Sequence, residues 1–157
     1  MGKIIENNEE LLLLIKRLKG NDTSIVMVNG CFDLFHCGHL DLLKYAKKQG
    51  DILIIVVNSD KSIKNIKGDN RPVIPQKERG YILSSIIYTD YVVFFDGNTP
   101  AELIEIIKPD MIVKEKEYTK KNISEIDSIL ENNCKLIFYE RKHYTSTSDI
   151  IKKIKLL

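Results

Sequence analysis

The chain has little that would mark a nucleic-acid-binding, membrane or secreted protein. Its 24 Lys and Arg residues against 22 Asp and Glu leave a net charge of +2, too small to indicate a nucleic acid partner. The longest uninterrupted apolar run, residues 52–57, is far shorter than the ~20 residues of a membrane span. Three cysteines do not suit a disulfide framework, and the first residues lack a signal peptide's apolar core. We therefore expect a cytoplasmic protein that binds neither nucleic acid nor membrane.

The length of 157 residues and the apolar fraction of 43% predict a single folded domain over residues 1–157. A domain of this length buries roughly 70% of the surface that its unfolded chain exposes. We therefore expect that neither disulfides nor a structural metal is needed for stability.

Apolar segments of two kinds alternate along the chain. Short segments without polar alternation are predicted to be strands buried on both faces, at residues 24–28, 52–57, 91–95, 111–113 and 135–138. Segments with helical patterning lie around them, at residues 11–18, 39–49, 76–87, 100–107, 123–132 and 146–157. Strands separated by helices indicate βαβ units, so we predict an α/β fold with a Rossmann-like, doubly wound, five-stranded parallel sheet.

The segments that follow the strands should carry the functional site, because ligands of doubly wound sheets bind beyond the carboxyl ends of the strands. These segments are residues 29–39, 58–75, 96–99, 114–122 and 139–147. The first of them contains neither G-x-G-x-x-G nor G-x-x-x-x-G-K-[ST]. The dinucleotide fingerprint and the P-loop are therefore both absent from it.

Two histidines, His36 and His39, flank Gly38 at this strand-to-helix junction. Gly38 lets the backbone approach a ligand closely, and His39 opens a helix whose free N–H groups favour phosphate. We interpret the segment as a phosphate site to which both imidazoles donate. A zinc site that also uses Cys31 and Cys37 is the alternative, which the cysteine spacing and the lack of a second ligand pair downstream disfavour.

The sequence GCFDLFHCGH at residues 30–39 resembles the HxGH signature of the cytidylyltransferase-like nucleotidyltransferases, and the resemblance extends over residues 24–155. Further segments resemble the adenylyltransferase domain of heptose 1-phosphate adenylyltransferases, which is usually fused to or paired with a sugar kinase. They are NGCFD at 29–33, VNSD at 57–60, KGDNRPV at 67–73, NTP at 98–100 and VK at 113–114. Arg141, followed by Ser146 and Thr147, is instead similar to the R-x-x-G-x-S-T motif of glycerol-phosphate and ethanolamine-phosphate cytidylyltransferases.

The resemblance implies attack of an acceptor phosphate on the α-phosphorus of a nucleoside triphosphate, with loss of pyrophosphate. Both reactants are polyanions, so the protein must cancel charge and align them. Mg²⁺ is the expected cofactor, held mainly by the triphosphate and not by protein ligands alone. The expected catalytic residues are His36, His39, Lys67 and Arg141. The expected nucleotide-binding residues are Gly30, Cys31, Phe32, Asp33, Gly38, Arg79, Lys114, Glu117, Ser146 and Thr147.

Several of these residues also have a simple structural interpretation. Arg79 could pair with Glu78 or Asp90, Asp33 could hold a turn, and Ser146 with Thr147 could cap the last helix. Lys64 is a further candidate cation on the second loop, although a lysine in so Lys-rich a chain is usually a solvated surface residue.

The substrates have two candidate identities. Most of the site-lining segments resemble the heptose enzymes, which predicts ATP with a sugar 1-phosphate and an ADP-sugar product. The alternative is CTP with a small alcohol or aminoalcohol phosphate, which Arg141 favours, as do the carboxylates of Glu115 and Glu117 where the heptose enzymes carry glycines. A non-catalytic nucleotide-binding module is a third possibility, disfavoured because both histidines are retained. We also expect a homodimer.

Overall fold

The structure, a computed structural model, describes residues 1–116, 123–143 and 145–157. Within these residues the strands are β1 (Lys3–Ile5), β2 (Ile25–Gly30), β3 (Ile52–Asn58), β4 (Tyr91–Phe95), β5 (Met111–Glu115) and β6 (Lys135–Tyr139). They form one sheet in the order β1-β4-β3-β2-β5-β6, and every neighbouring pair is parallel. The helices of the same residues are α1 (Asn8–Gly20), α2 (Cys37–Lys47), α3 (Asp60–Lys67), α4 (Gln76–Ser84), α5 (Ala101–Ile107), α6 (Ile126–Glu131) and α7 (Thr147–Ile154).

Helices cover both faces of the sheet, which explains why β2 and β3 are apolar throughout residues 25–28 and 52–57, up to their carboxyl ends. Ile25 and Met27 of β2 pack on the face that α1 and α5 cover, and Val26 and Val28 pack on the face that α2 and α4 cover. Successive side chains of a strand point to opposite faces, so both sets are withdrawn from water. The prediction of a doubly wound α/β fold with a parallel sheet is confirmed.

The number of strands differs from the prediction, because β1 adds a sixth strand at the edge of the sheet. It pairs with β4, with Lys3 opposite Tyr91 and Ile5 opposite Val93. Only Ile5 of its three residues is buried. So short a segment has no readable hydrophobic period, and its strand conformation depends on the pairing with β4.

The segment after β3 also differs from the prediction of a loop over residues 58–75. Its first part forms α3, whose N-cap Ser59 accepts a hydrogen bond from the backbone N–H of Ser62. Ser62 and Ile63 are its buried residues, and Ile66 is the one other apolar residue of this helix. Lys64 and Lys67 consequently lie on the last turn of a helix and not on a loop.

The strand order places the expected ligand site between β2 and β5. From β2 the chain proceeds through β3 to β4 on one side of the sheet, and β5 with β6 then adds to the other side of β2. The connections after β2 and β5 therefore leave in opposite directions and open a crevice at the carboxyl edge.

None of the helices in the described part of the chain is long and apolar enough to cross a membrane.

Candidate active site

A cavity of about 360 Å³, which we call the main cavity, opens at the carboxyl edge of the sheet. The predicted residues that line it are Gly30, Cys31, Phe32, Asp33, His36, His39, Lys67, Lys114, Arg141, Ser146 and Thr147. Gly38 and Arg79 do not line it, and Glu117 lies outside the described residues. The fold thus brings together predicted residues from four of the five segments that follow strands.

His36 and His39 stand on the start of α2, where His36 is the N-cap and His39 belongs to the first turn. Their rings stack with centroids 3.8 Å apart, and the backbone N–H of His36 donates to Nδ1 of His39 at 3.4 Å. Because Nδ1 accepts this bond, neutral His39 carries its proton on Nε2, which is a donor for an anion. Phe32 and Phe35 lie 5.2 and 5.5 Å from the His39 ring, so its surroundings are largely apolar.

Both imidazoles are harder to protonate than an ordinary histidine. The pKa of His39 is lowered to about 3, first by burial and then by His36, Arg141 and Lys67, while the Asp33 carboxylate opposes the shift. Burial and Arg141 also lower the pKa of His36. Both rings are therefore neutral at neutral pH without ligand. A bound polyanion would oppose this lowering of the two pKa values, because its negative charge counteracts the repulsion from the nearby cations.

Gly38 lies under this pair, buried in the first turn of α2. A Cβ at this position would lie 3.1 Å from the His36 ring and 3.3 Å from the carbonyl oxygen of His143. A side chain there would displace either the histidine or the segment that leads to α7. Gly38 therefore shapes the site without lining the main cavity.

Two cationic residues of the main cavity are paired with carboxylates. Arg141 pairs with Glu115 at the end of β5. Lys114 pairs with Glu125, and both side chains are buried. Burial lowers the pKa of Lys114, although Glu125 opposes that shift. Burial raises the pKa of Glu125, but Lys114 and Ser124 outweigh it and hold the carboxyl below its usual value.

Asp33, predicted to bind the nucleotide, uses its carboxylate to hold the segment before α4. Its oxygens accept hydrogen bonds from the backbone N–H groups of Val73 and Ile74, both at 2.9 Å, and from Nε of Arg71 at 2.8 Å. Burial raises the pKa of Asp33, yet these three donors outweigh it and the pKa is lowered. The structural role that the sequence left open for Asp33 is therefore present.

Arg79, predicted to bind the nucleotide, does not line the main cavity. Its side chain is fully buried, with Nη1 donating to the carbonyl oxygens of Cys31 and Asn58 at 2.6 and 2.9 Å. Nε donates to the carbonyl oxygen of Ile74, and Nη2 pairs with Asp60. All three nitrogens are occupied, so Arg79 joins the segments that follow β2 and β3 and does not contact the cavity.

Ser146 and Thr147 begin α7, and both hydroxyl groups have protein partners. Ser146 is the N-cap and accepts a hydrogen bond from the backbone N–H of Asp149 at 3.1 Å. Thr147 Oγ1 donates to the carbonyl oxygen of Asp33 at 2.7 Å. The capping interpretation therefore holds for Ser146, and Thr147 ties α7 to the segment after β2.

The main cavity also contains residues that were not predicted to belong to the site. Polar or charged examples are Asn29, Asn58, Arg71, Asn98, Ser124 and Glu125. Asn58 and Asn98 lie in segments that follow predicted strands, so their place in the sequence could have identified them as candidate site residues. Ser124 and Glu125 precede α6 and had no such signal, because only the fold brings them to Lys114.

The cysteines of the zinc alternative have different surroundings. The Cys31 thiol donates to Oδ1 of Asn58 at 3.7 Å, whereas Cys37 is exposed. Among the residues that the structure describes, no three His, Cys, Asp or Glu side chains are grouped so that they could hold a metal ion.

Comparison with known proteins yields close sequence relatives. "Bifunctional protein HldE" of Campylobacter jejuni strain RM1221 is 46% identical over 153 residues, which are 98% of this chain and 32% of the relative. The protein of the same name from Helicobacter pylori strain J99 is 46% identical over 142 residues, 90% of this chain and 30% of the relative. The chain thus spans about a third of the length of the curated relatives that it matches.

Two solved structures share the fold. A lipopolysaccharide core biosynthesis protein from Thermoplasma volcanium GSS1 has a TM-score of 0.63 and 25% identity, covering 78% of this chain and 99% of that one. A pantoate-beta-alanine ligase from Francisella tularensis has a TM-score of 0.66, covering 99% of this chain and 78% of that one. At 16% identity, the second likeness concerns the fold alone.

The family model described as "Cytidylyltransferase-like" matches residues 27–153, which include every described residue of the site discussed above. This range covers most of the chain, and the 46% identical relatives match nearly all of it. The chain therefore belongs to the cytidylyltransferase-like family.

Proposed function

We propose that this chain transfers AMP from ATP to the phosphate of heptose 1-phosphate or a closely related sugar 1-phosphate, giving an ADP-sugar and pyrophosphate. The observation that carries the proposal is the pair of stacked imidazoles, His36 and His39, on the same cavity as Lys67 and Arg141. The choice of ATP and a heptose is supported by the five segments that resemble the heptose enzymes.

The two ends of the main cavity suit different reactants. On the β5 and β6 side lie Arg141, Lys114 and the first turn of α7, where backbone N–H groups and positive charge favour a triphosphate. On the β3 and β4 side lies Asn98, whose amide can hydrogen-bond sugar hydroxyls, beside the buried Asn58. We place the nucleotide at the first end and the acceptor at the second.

The reaction needs no covalent intermediate and no net proton transfer. An oxygen of the acceptor phosphate forms a bond to the α-phosphorus while the bond to the bridging oxygen of the β-phosphate breaks, and that oxygen leaves with pyrophosphate. His36 and His39 donate to the phosphate oxygens, and Lys67 and Arg141 offset the charge that two polyanions bring together. Positioning and electrostatic stabilisation are then the protein's whole contribution.

Mg²⁺ is part of the proposal and fits this site as an ion carried by the triphosphate. Among the residues that the structure describes, three carboxylates line the main cavity, and each is already paired with a cation: Asp33 with Arg71, Glu115 with Arg141, and Glu125 with Lys114. The metal would therefore be held through phosphate oxygens and water, where it neutralises phosphate charge.

The CTP-dependent alternative loses one of its arguments in the structure. Glu115 was expected to attract an acceptor with an ammonium group, but its carboxylate pairs with Arg141. Its negative charge is thus offset within the protein. Glu117, the other carboxylate of that argument, lies outside the described residues.

The cellular setting and assembly also belong to the proposal. The expected substrates, a nucleoside triphosphate and a sugar phosphate, are cytoplasmic metabolites, which supports a cytoplasmic location. The family resemblance supports a homodimer built from a single domain of residues 1–157. Light scattering coupled to size exclusion tests the dimer, with a monomer mass as the contradicting result.

A pyrophosphate-release assay tests the reaction, with each of four nucleoside triphosphates combined with a panel of sugar 1-phosphates and alcohol phosphates. We expect the highest kcat/KM for ATP with heptose 1-phosphate, at least tenfold above CTP, which corresponds to about 1.4 kcal/mol. A tenfold preference for CTP with an alcohol phosphate would establish the alternative. Nucleotide binding without pyrophosphate release from any pair would indicate a non-catalytic module.

A further inference from the structure

Arg71 lies where two cavities meet, and it has no role in the proposed reaction as described so far. It lines the main cavity and also a neighbouring groove between the segment before α4 and helix α7. Ser148, in the first turn of α7, lines both as well. Any polyphosphate that extends from the main cavity along α7 must therefore pass between Ser148 and Arg71.

The guanidinium of Arg71 is held in a fixed orientation. Nε and Nη2 both lie 2.8 Å from Oδ2 of Asp33, whose side chain is fully buried. The Arg71 side chain itself is only 14% exposed. Only Nε makes a hydrogen bond to Asp33, and Nη2 is buried without a hydrogen-bond partner among the described residues. Because a guanidinium is planar and presents its donors as a rigid fork, the Nε bond to Asp33 fixes the direction of the remaining donors.

Asp33 also determines how far Arg71 stands from α7. Its carboxylate accepts the backbone N–H groups of Val73 and Ile74, and its carbonyl oxygen accepts the hydroxyl of Thr147 at 2.7 Å. A single residue thus connects the segment that carries Arg71 with the first turn of α7. The charge of the Asp33 carboxylate is shared among three donors, two of them backbone N–H groups, so it offsets the charge of Arg71 less than an exclusive partner would.

We propose that Arg71 binds the β- and γ-phosphates of the nucleotide, and the pyrophosphate that they become, with Asp33 as its positioning residue. The inference rests on the proposed function, since it assigns the end of the triphosphate to the gap between Arg71 and α7. A planar, pre-oriented guanidinium suits bidentate binding of phosphate, which a lysine at the same place would not provide.

Calorimetric titration in the presence of Mg²⁺ tests the assignment with three probes: α,β-methylene-ATP, AMP and inorganic pyrophosphate. The principal variant is Arg71→Lys, which keeps a cation opposite Asp33 and so protects the fold. We expect at least tenfold weaker binding of α,β-methylene-ATP and of pyrophosphate, with AMP affinity within twofold of wild type. Asp33→Asn should weaken the same two ligands because the guanidinium loses its anchor. Lys155→Ala, at the far end of the groove, is the matched control and should change nothing.

Equal losses for AMP and α,β-methylene-ATP in Arg71→Lys would mean that Arg71 only supports the shape of the pocket, and would overturn the proposal. Unchanged affinity for all three probes would overturn it as well. A failure of the proposed function gives a different result: wild type would then bind α,β-methylene-CTP in preference to the ATP analogue. The same Arg71→Lys comparison is made with the preferred analogue, because the contact is to phosphates and not to the base.

Discussion

The imidazole rings of His36 and His39 are stacked, with centroids 3.8 Å apart and planes inclined by 19°. Two protonated imidazoles at this separation would repel each other, and Arg141 adds another positive charge that lowers both pKa values. The pair is therefore neutral when the cavity holds no anion. A bound polyphosphate brings negative charge next to Arg141 and the two rings. We therefore expect the hydrogen bonds from both imidazoles to strengthen when the substrate binds.

Replacing either histidine of the pair should remove a phosphate donor without unfolding the protein. We expect His36→Asn and His39→Asn each to lower kcat by about 10²-fold or more, by analogy with loss of one oxyanion donor. His143→Asn is the matched control, because His143 is 57% exposed and does not line the main cavity. A comparable loss of turnover in all three variants would refute the assignment of the pair.

The stability of the ligand-free protein should depend on pH through His39. Its pKa is about 3 when folded and about 6.5 when unfolded, so between these values the unfolded chain binds more protons. This contribution to stability is therefore lost as the pH falls below 6.5, by at most about 1.4 kcal/mol per pH unit. Urea unfolding from pH 4.5 to 8 should show the loss in wild type and a smaller one in His39→Asn. Parallel curves for the two proteins would contradict the lowered pKa.

The last turn of α3 offers two lysines with different expected roles. Lys67 lines the main cavity, whereas Lys64, one turn earlier on the same helix, does not. Lys67→Ala should lower kcat/KM by tenfold or more, because it removes a charge that offsets the phosphates. Lys64→Ala should stay within twofold of wild type in the same assay. Equal effects from both would indicate general electrostatic attraction and no specific contact.

Arg79 should prove to be a stability residue. Arg79→Met would leave the carbonyl oxygens of Cys31 and Asn58 without their buried donor and would leave Asp60 without its partner. We expect the free energy of unfolding in urea to fall by about 2 kcal/mol or more. At a temperature where the variant is folded, the nucleotide KM should remain within threefold of wild type. A large rise in KM with unchanged stability would restore Arg79 as a nucleotide contact.

Chelation should separate the metal's role in catalysis from any role in folding. We expect EDTA to abolish pyrophosphate release and added Mg²⁺ or Mn²⁺ to restore it. The Tm measured without nucleotide should barely move, because the proposed metal arrives with the triphosphate. A large drop in Tm on chelation would instead point to a structural metal and revive the zinc alternative.

The sequence by itself determined the features that depend on local pattern. Apolar strands such as β2 and β3 are recognisable because burial on both faces requires an apolar residue at every position. The HxGH segment could be placed on a strand-to-helix junction for the same reason, which put His36 and His39 at the carboxyl edge of the sheet. These inferences need only the residues themselves and their near neighbours along the chain.

The tertiary structure decided what depends on residues far apart in the sequence. Edge strand β1 forms through its pairing with β4, and α3 has too few apolar residues to show a pattern. Arg79 looked equally suited to a ligand or a carboxylate until the fold enclosed it among carbonyl oxygens of distant segments. Asp33 and Arg71 are 38 positions apart, yet the buried carboxylate orients the guanidinium. The role of a charged side chain depends on which partners the fold places around it. The neighbouring residues in the sequence do not reveal those partners.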